Sequence, residues 1–250
     1  MCNIFSCIVV KTGDVLWSPT DMSHSSLIKK YDLKEGPLES RNFVKVEINP
    51  VSYLDSLNIK DWEYRVDEKS TLPGWYVEDE INYTNKAYQV LWEFIKDVKK
   101  TKIFPCSIDS RIYPKMLFSE IIEKVNGYLY LDGTAATNLK NLKEVIGYFF
   151  LDTGYIVNLG KLEKVYGDFY IGKNVLTSLG NLKEVCGDFY LANNAVTHLG
   201  NLERVGGNFH LEGNVVMSLE KLKEVGGKVY HEGNIITNYQ GTQLIKGETI

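Results

Sequence analysis

The chain has 250 residues, a formal net charge of −4, 44% hydrophobic and 24% charged residues. That is enough for one large domain or two modest ones with a real core, and the absence of a basic surplus argues against a nucleic-acid partner. The averages conceal an asymmetry: 18 of the 21 glycines follow residue 126, whereas all 6 prolines and all 4 tryptophans precede residue 115.

Residues 1–101 carry no repeat. Ile4 to Leu16 reads as a hairpin turning at Lys11-Thr12-Gly13-Asp14, and Ser23 to Tyr31 as a short helix. Phe43 to Ile48 alternates as a strand stopped by Pro50, and Trp62 to Asp67 as another. Thr84 is placed to N-cap a helix whose apolar stripe is Ala87, Val90, Leu91, Phe94, Ile95 and Val98, with Lys96, Lys99 and Lys100 toward its C-terminal end. Trp17, Trp62, Trp75 and Trp92 read as core. These elements make a small α+β domain, followed by a Pro-containing linker and solenoid cap over 102–122; Met116 to Lys124 is a short amphipathic segment placed to cover the first coil.

Residues 123–242 form six rows of 20 that align without a gap, and 243–250 a C-terminal cap or tail. Glycine recurs at 127, 147, 167, 187, 207 and 227, and valine stands two residues before each. Leucine columns run through 139, 159, 179, 199 and 219 and through 142, 162, 182, 202 and 222. After each glycine an alternating quartet, such as Asp168-Phe169-Tyr170-Ile171, makes one strand per row, whose core-facing columns are Leu129, Phe149, Phe169, Phe189, Phe209, Val229 and Leu131, Leu151, Ile171, Leu191, Leu211. The row turns near Asn174, Asn194, Asn214 or Asn234. A 20-residue coil is too short for a strand plus a full helix, so the Leu-Lys-Glu-Val corner is extended or one turn of 3₁₀. Lys143, Glu163, Lys183, Glu203, Lys223 and the neighbouring Glu144, Lys164, Glu184, Arg204, Glu224 alternate in sign, which avoids like-charge ladders and predicts a solvent-exposed corner.

These columns resemble a short leucine-rich-repeat variant, and are especially similar to the compact β-helical repeats of receptor L domains and to Val-Gly-Gly/Leu-x-Leu arrays of phage and bacterial proteins. The resemblance implies an LRR-like β-solenoid of six coils stacked about 4.8 Å apart in parallel. Cys2, Ser23-His24, Val44 to Ile48, Arg65-Val66-Asp67 and Leu72-Pro73-Gly74-Trp75 resemble an N-terminal domain that begins Met-Cys in phage and bacterial proteins; kinship is implied, no activity.

Two functional readings follow. Outward strand positions Tyr130, Phe150, Tyr170, Tyr190, His210 and Tyr230, flanked by Asp132, Asp152, Asp168, Asp188, Glu212 and Glu232, form an aromatic-acidic face suited to a basic protein partner; the resemblance adds a phage-encoded protein directed at a host protein. The same rings would also stabilise the ladder by stacking on one another. The second reading is a Cys2-dependent hydrolase or transferase: loss of Met1 would expose an N-terminal Cys whose α-amine acts as base, with His24 and Asp67 or Glu47 completing a Cys–His–carboxylate set and the repeats recruiting substrate. The competing reading of those residues is a strand start at Cys2 and a helix N-cap at Ser23-His24-Ser25. A homo-oligomer built through exposed coil ends is a third alternative. No cofactor, metal or membrane segment is expected: His198, His210 and His231 fall in three different columns, Cys2 and Cys7 lie five apart, and the glycines belong to the repeat. Four cysteines are too few for a secreted disulfide scaffold, so a reduced, cytoplasmic protein is expected.

Overall fold

The computed structural model describes residues 5–18, 23–50, 58–68, 71–109, 120–191, 193–216, 219, 221–231 and 244–245. The chain divides into two compact units, Met1–Thr101 and Lys102–Ile250.

In the first unit, strands β1 (Phe5–Val10), β2 (Val15–Leu16), β3 (Phe43–Pro50) and β4 (Trp62–Val66) form an antiparallel sheet in the order β2-β1-β3-β4. Pro50 does not stop β3 short; it is the last strand residue, opposite Trp62, where a missing N–H costs little. Helix α1 (His24–Lys30) starts at Ser23, whose side chain accepts the Ser26 N–H, and it lays Leu27 on Ile8 and Phe43. A single turn α2 (Gly74–Val77) follows Pro73. Helix α3 (Glu80–Thr101) buries Tyr83, Ala87, Leu91, Phe94, Ile95 and Val98. Phe94 meets Phe5 and Trp17. The helix begins four residues before Thr84, so Thr84 lies inside it and is not its N-cap. Trp62 is buried, but Trp92 lies one residue off the apolar stripe and is 47% exposed, not core.

The second unit is a parallel β-solenoid with a period of 20 residues. Each row carries two strands rather than one: the corner is extended, as at Glu144–Val145, and pairs coil to coil in its own sheet, while the outer quartets, as at Phe149–Asp152, build a second one. Register is strict, with Phe149 opposite Phe169 opposite Phe189 opposite Phe209. The sequence repeat begins at 123, but the ladder begins earlier. Ile103–Phe104 pairs with Lys124–Val125, and Ile108–Asp109 with Leu129–Tyr130, a coil offset by 21 residues and lacking the repeat glycine. Most of the Met116 to Lys124 segment lies outside the described residues. At the other end Leu244–Ile245 pairs with Glu224–Val225.

The glycine column exists because neighbouring backbones touch there. A Cβ on Gly167 would sit 2.7 Å from Gly147 C and Tyr148 N. A different glycine column, Gly160, Gly180 and Gly200, has φ of 58–62° and turns the next corner. Inside the third corner, Asn174, Asn194 and Asn214 are buried and donate to carbonyls of the preceding coil: Asn174 to Leu151, Asn194 to Ile171 and Asn214 to Leu191. Row two has glycine at this position, and Thr153 closes the gap by donating to Asn174 Oδ1 at 3.0 Å. The left-handed residues are those just before the asparagines, Lys173, Asn193 and Gly213.

The alternating charges pair as Lys143–Glu123, Lys183–Glu163 and Lys223–Glu203 at 2.6–2.7 Å, and as Lys124–Glu144, Lys164–Glu184 and Arg204–Glu224 at 2.7–3.1 Å. Hydrogen bonds from Lys102 and Lys143 pull the Glu123 carboxyl down to about 2. Lys164 and Lys223 lower Glu184 and Glu203 in the same way.

Two expectations follow. Gly167→Ala forces two backbones apart and should cost about 1–3 kcal/mol, read as a drop in the solenoid's melting temperature; an unchanged melt would contradict the close approach. The lowered carboxylates contribute stability above their ordinary value near 4.5, lost as pH falls toward about 2. Circular-dichroism melts should therefore lose melting temperature across that window, and less so in about 1 M salt, where exposed pairs are screened.

Candidate functional site

Two places in the molecule gather chemistry. The first is the outward face of the quartet sheet. Coil spacing stacks Tyr130 on Phe150 at 4.4 Å, Phe150 on Tyr170 at 4.7 Å, Tyr190 on His210 at 4.4 Å and His210 on Tyr230 at 4.3 Å, all within 14° of parallel. These rings are half-buried, neither core nor free. The column breaks once. Tyr170 and Tyr190 are 6.3 Å apart and tilted by 38°. The Tyr170 ring lies close over Gly172, which stands where the first two rows have Asp132 and Asp152: a Cβ there would lie 2.8–2.9 Å from the Tyr170 ring and hydroxyl.

Asp168 and Asp188, chosen from the sequence as part of this face, also hold the ladder. Asp168 Oδ1 accepts the Asp188 N–H at 2.9 Å, Asp188 Oδ1 accepts the Asn208 N–H at 2.7 Å, and Asn208 Oδ1 accepts the Lys228 N–H at 2.9 Å. The other oxygen of Asp188 takes the Tyr190 hydroxyl at 3.3 Å, and burial followed by this carboxylate pushes the Tyr190 phenol up. Asp132, Asp152 and Glu212 edge the ring column, with Glu212 3.3 Å from His210; Glu232 lies outside the described residues. The sequence reading passed over a second exposed stripe. Tyr155, Val175 and Val215, each 54–60% exposed, occupy one repeat position, just before the buried column Ile156, Leu176, Val196, Val216. The signal in the sequence is a column of apolar residues directly beside the apolar column that is buried.

The second place is the α1 side of the N-terminal sheet. Register sets Ser6 opposite Glu47, Glu47 opposite Arg65, and Asp67 beside Lys45, whose carbonyl accepts its N–H. His24, the first residue of α1, comes down over this row. Its Nε2 lies 3.0 Å from the Val46 carbonyl and its Nδ1 3.2 Å from Asp67 Oδ2. His24 and Glu47 are 3% and 5% exposed, while the Asp67 side chain is half exposed. One ligating atom from each of His24, Glu47 and Asp67 lies within 4.8 Å of the others. Three of the four residues picked for chemistry thus converge; Cys2 lies outside the described residues. Cys7 is fully buried among apolar groups, and desolvation, then the Glu47 charge, pushes its thiol far up, away from reactivity.

No protein-family model, curated protein or solved structure matches this chain. Among the described residues no helix is long and apolar enough to cross a membrane.

The Asp168 and Asp188 geometry separates a structural from a binding role. Asp168→Asn keeps the Oδ1 acceptor and should melt with the wild type, whereas Asp168→Ala leaves an N–H of the next coil unpaired and should cost about 1 kcal/mol. Equal melts for the two variants would deny the carboxylate its place in the ladder.

Proposed function

We propose that this protein is a non-catalytic binding protein whose solenoid holds a protein partner on its outward sheet face. We read the solenoid as a leucine-rich-repeat type on the strength of its Leu columns and its buried asparagines, and the setting as cytoplasmic, phage-encoded and directed at a host protein on the resemblance of its repeats and Met-Cys start. The observation that carries the reading is the column of half-buried rings from Tyr130 to Tyr230, opened at Tyr170 and Tyr190. Rings held by the ladder lose little entropy on binding. At the opening, Tyr170 is not covered face to face by Tyr190, so this is where a partner side chain gains most contact. The acidic edge of Asp132, Asp152 and Glu212 favours a partner with Lys or Arg around an apolar or aromatic centre.

The reading is tested by affinity capture with mass-spectrometric identification. Tyr170→Ser with Tyr190→Ser should release the captured partner while leaving the circular-dichroism melt close to wild type. Tyr155→Ser, on the other exposed stripe, should retain it. Capture unchanged in the double variant would sink the proposal.

A second reading draws on the convergence of His24, Glu47 and Asp67: a Cys2 nucleophile, with its own α-amine as base, acting beside this polar cluster. Both His24 nitrogens are turned to protein groups, Val46 and Asp67, so the imidazole would position and polarise rather than take the thiol proton. Intact-mass kinetics with iodoacetamide decide it. Cys2 should react much faster than an ordinary thiol and lose that advantage in Asp67→Asn; reaction at the ordinary rate removes this reading.

A further inference from the structure

We propose that the third wall of the solenoid is a homodimer interface, on which a second copy of this chain packs with its stack of coils running the opposite way. The inference uses neither the ring column nor Cys2, and it does not rest on the binding reading above.

The wall is the extended stretch after each quartet: 135–138, 155–158, 175–178, 195–198 and, in the fifth row, 215–216. Neighbouring rows bond there through the backbone. The Val157 N–H donates to the Thr137 carbonyl at 2.9 Å, the Thr197 N–H to Thr177 at 3.0 Å and the Val215 N–H to Val196 at 3.2 Å. Asn138 bridges to Asn158, and Ser178 to His198, in parallel. Side chains alternate along extended chain, so Ala136, Ile156, Leu176, Val196 and Val216 fill the core while Ala135, Tyr155, Val175, Ala195 and Val215 stand outside.

Composition sets this wall apart. Its stretches hold no Asp, Glu, Lys or Arg. The corner wall carries Lys–Glu pairs, and the ring wall carries Asp168 and Asp188. Of the ten large hydrophobic residues exposed among the described residues, four stand here, Tyr155, Val157, Val175 and Val215. A contiguous apolar surface on a solenoid otherwise lined with charge marks a protein contact. The chain has a net charge of −4 and so repels its own copy; this wall lets two copies meet without setting like charges against each other.

Size decides how they meet. In a two-fold contact, residue i touching j requires j touching i. With the two stacks antiparallel and the axis through the third row, row one meets row five and row two meets row four. The outward column then reads against itself as Ala135 on Val215, Tyr155 on Ala195 and Val175 on Val175. The one bulky side chain falls opposite a small one, twice. With the stacks parallel each row meets itself: Tyr155 on Tyr155 would hold the walls apart, leaving Ala195 to face Ala195 across a gap. The next outward column gives Val157 on Thr197 and Thr177 on Thr177 in the antiparallel arrangement, again without charge. The wall covers about 24 Å along the stack and about 13 Å along the strands. That is a small interface, so the dimer is reversible and concentration-dependent. The ring column lies on another wall and stays open.

The test is sedimentation velocity on the full-length protein over a concentration series reaching about 1 mM. A monomer–dimer equilibrium is expected, not weakened by salt because no ion pair holds it. Val175→Lys, at an exposed position, should leave the circular-dichroism spectrum unchanged and weaken association at least about 10-fold. Mixing it with Val175→Glu should restore a dimer. Tyr155→Lys should dissociate the dimer too, and Ala195→Glu added to the same chain should restore it, as only the antiparallel arrangement allows. Tyr170→Ser/Tyr190→Ser should dimerise like the wild type, which keeps this inference separate from the ring-face reading. The proposal is overturned by a monomer at every concentration, which would leave the wall to a different protein, or by a dimer indifferent to Val175→Lys. Loss of the dimer in Tyr170→Ser/Tyr190→Ser, or a Tyr155→Lys/Ala195→Glu chain that stays monomeric, overturns it as well.

Discussion

The parallel ladder repeat is the constraint on which the solenoid depends. Twenty residues must return the chain to the same place one strand spacing further on, and that spacing is about 4.8 Å whatever the side chains. Every column then becomes a stack of like positions at a fixed distance. Apolar columns gain from this, as the Phe149, Phe169, Phe189 and Phe209 rings do at 4.7–5.3 Å. Charged columns must alternate in sign or repel, and they alternate. Polar columns bond to the backbone of the neighbouring coil, Asn174, Asn194 and Asn214 by donating to its carbonyls inside and Asp168, Asp188 and Asn208 by accepting its N–H groups outside. Glycine stands where the spacing leaves no room for a Cβ. Proline, lacking the N–H that such a ladder uses, occurs only before residue 115.

That constraint is also why the solenoid was legible in the sequence and its first coil was not. A strict period of 20 writes itself into the chain as Gly, Val and Leu columns. The coil at Ile103 to Asp109 is offset by 21, has Cys106 where the glycine would stand and has Ile108 for the quartet; only pairing with Lys124–Val125 and Leu129–Tyr130 discloses it. The corner is legible as extended or 3₁₀, but not its pairing into a second sheet, because two residues are too few to show alternation. Asp168 and Asp188 looked like surface acids because a backbone donor one coil away leaves no mark in the sequence. In the N-terminal unit the helix stripe is plain in the sequence, while the start is not, because Thr84 is a good cap residue that here lies inside a helix starting at Glu80. His24, Glu47 and Asp67 were chosen by residue type alone. What joins them is antiparallel register, in which Glu47 faces Arg65 and Asp67 lies beside Lys45, and no local spacing encodes that.

The ladder changes what the aromatic face means. Rings at the coil spacing would stack with or without a partner, so stacking by itself says nothing about binding. The informative position is the one where the column departs from its own geometry. Gly172 replaces the Asp of the first two rows and leaves room for the Tyr170 ring, which is tilted from Tyr190. A column kept only for stability would gain by closing that gap with a side chain at 172.

The two units answer the problem of buried polar groups in opposite ways. The solenoid spreads its polar atoms into rows, whose buried asparagines donate to carbonyls of the preceding coil, so no single position carries much charge away from water. The N-terminal sheet concentrates them: an imidazole, a carboxylate and an amide lie under one helix end, with a second carboxylate at the rim. Its α1 begins with Ser23 capping and His24 pointing inward, although one helical turn on Leu27 packs against the apolar sheet residues Ile8 and Phe43. An apolar residue at position 24 would have continued that packing, and a neutral one at 47 would have removed the charge from the interior. Replacing such a cluster with apolar side chains is often neutral or favourable for stability.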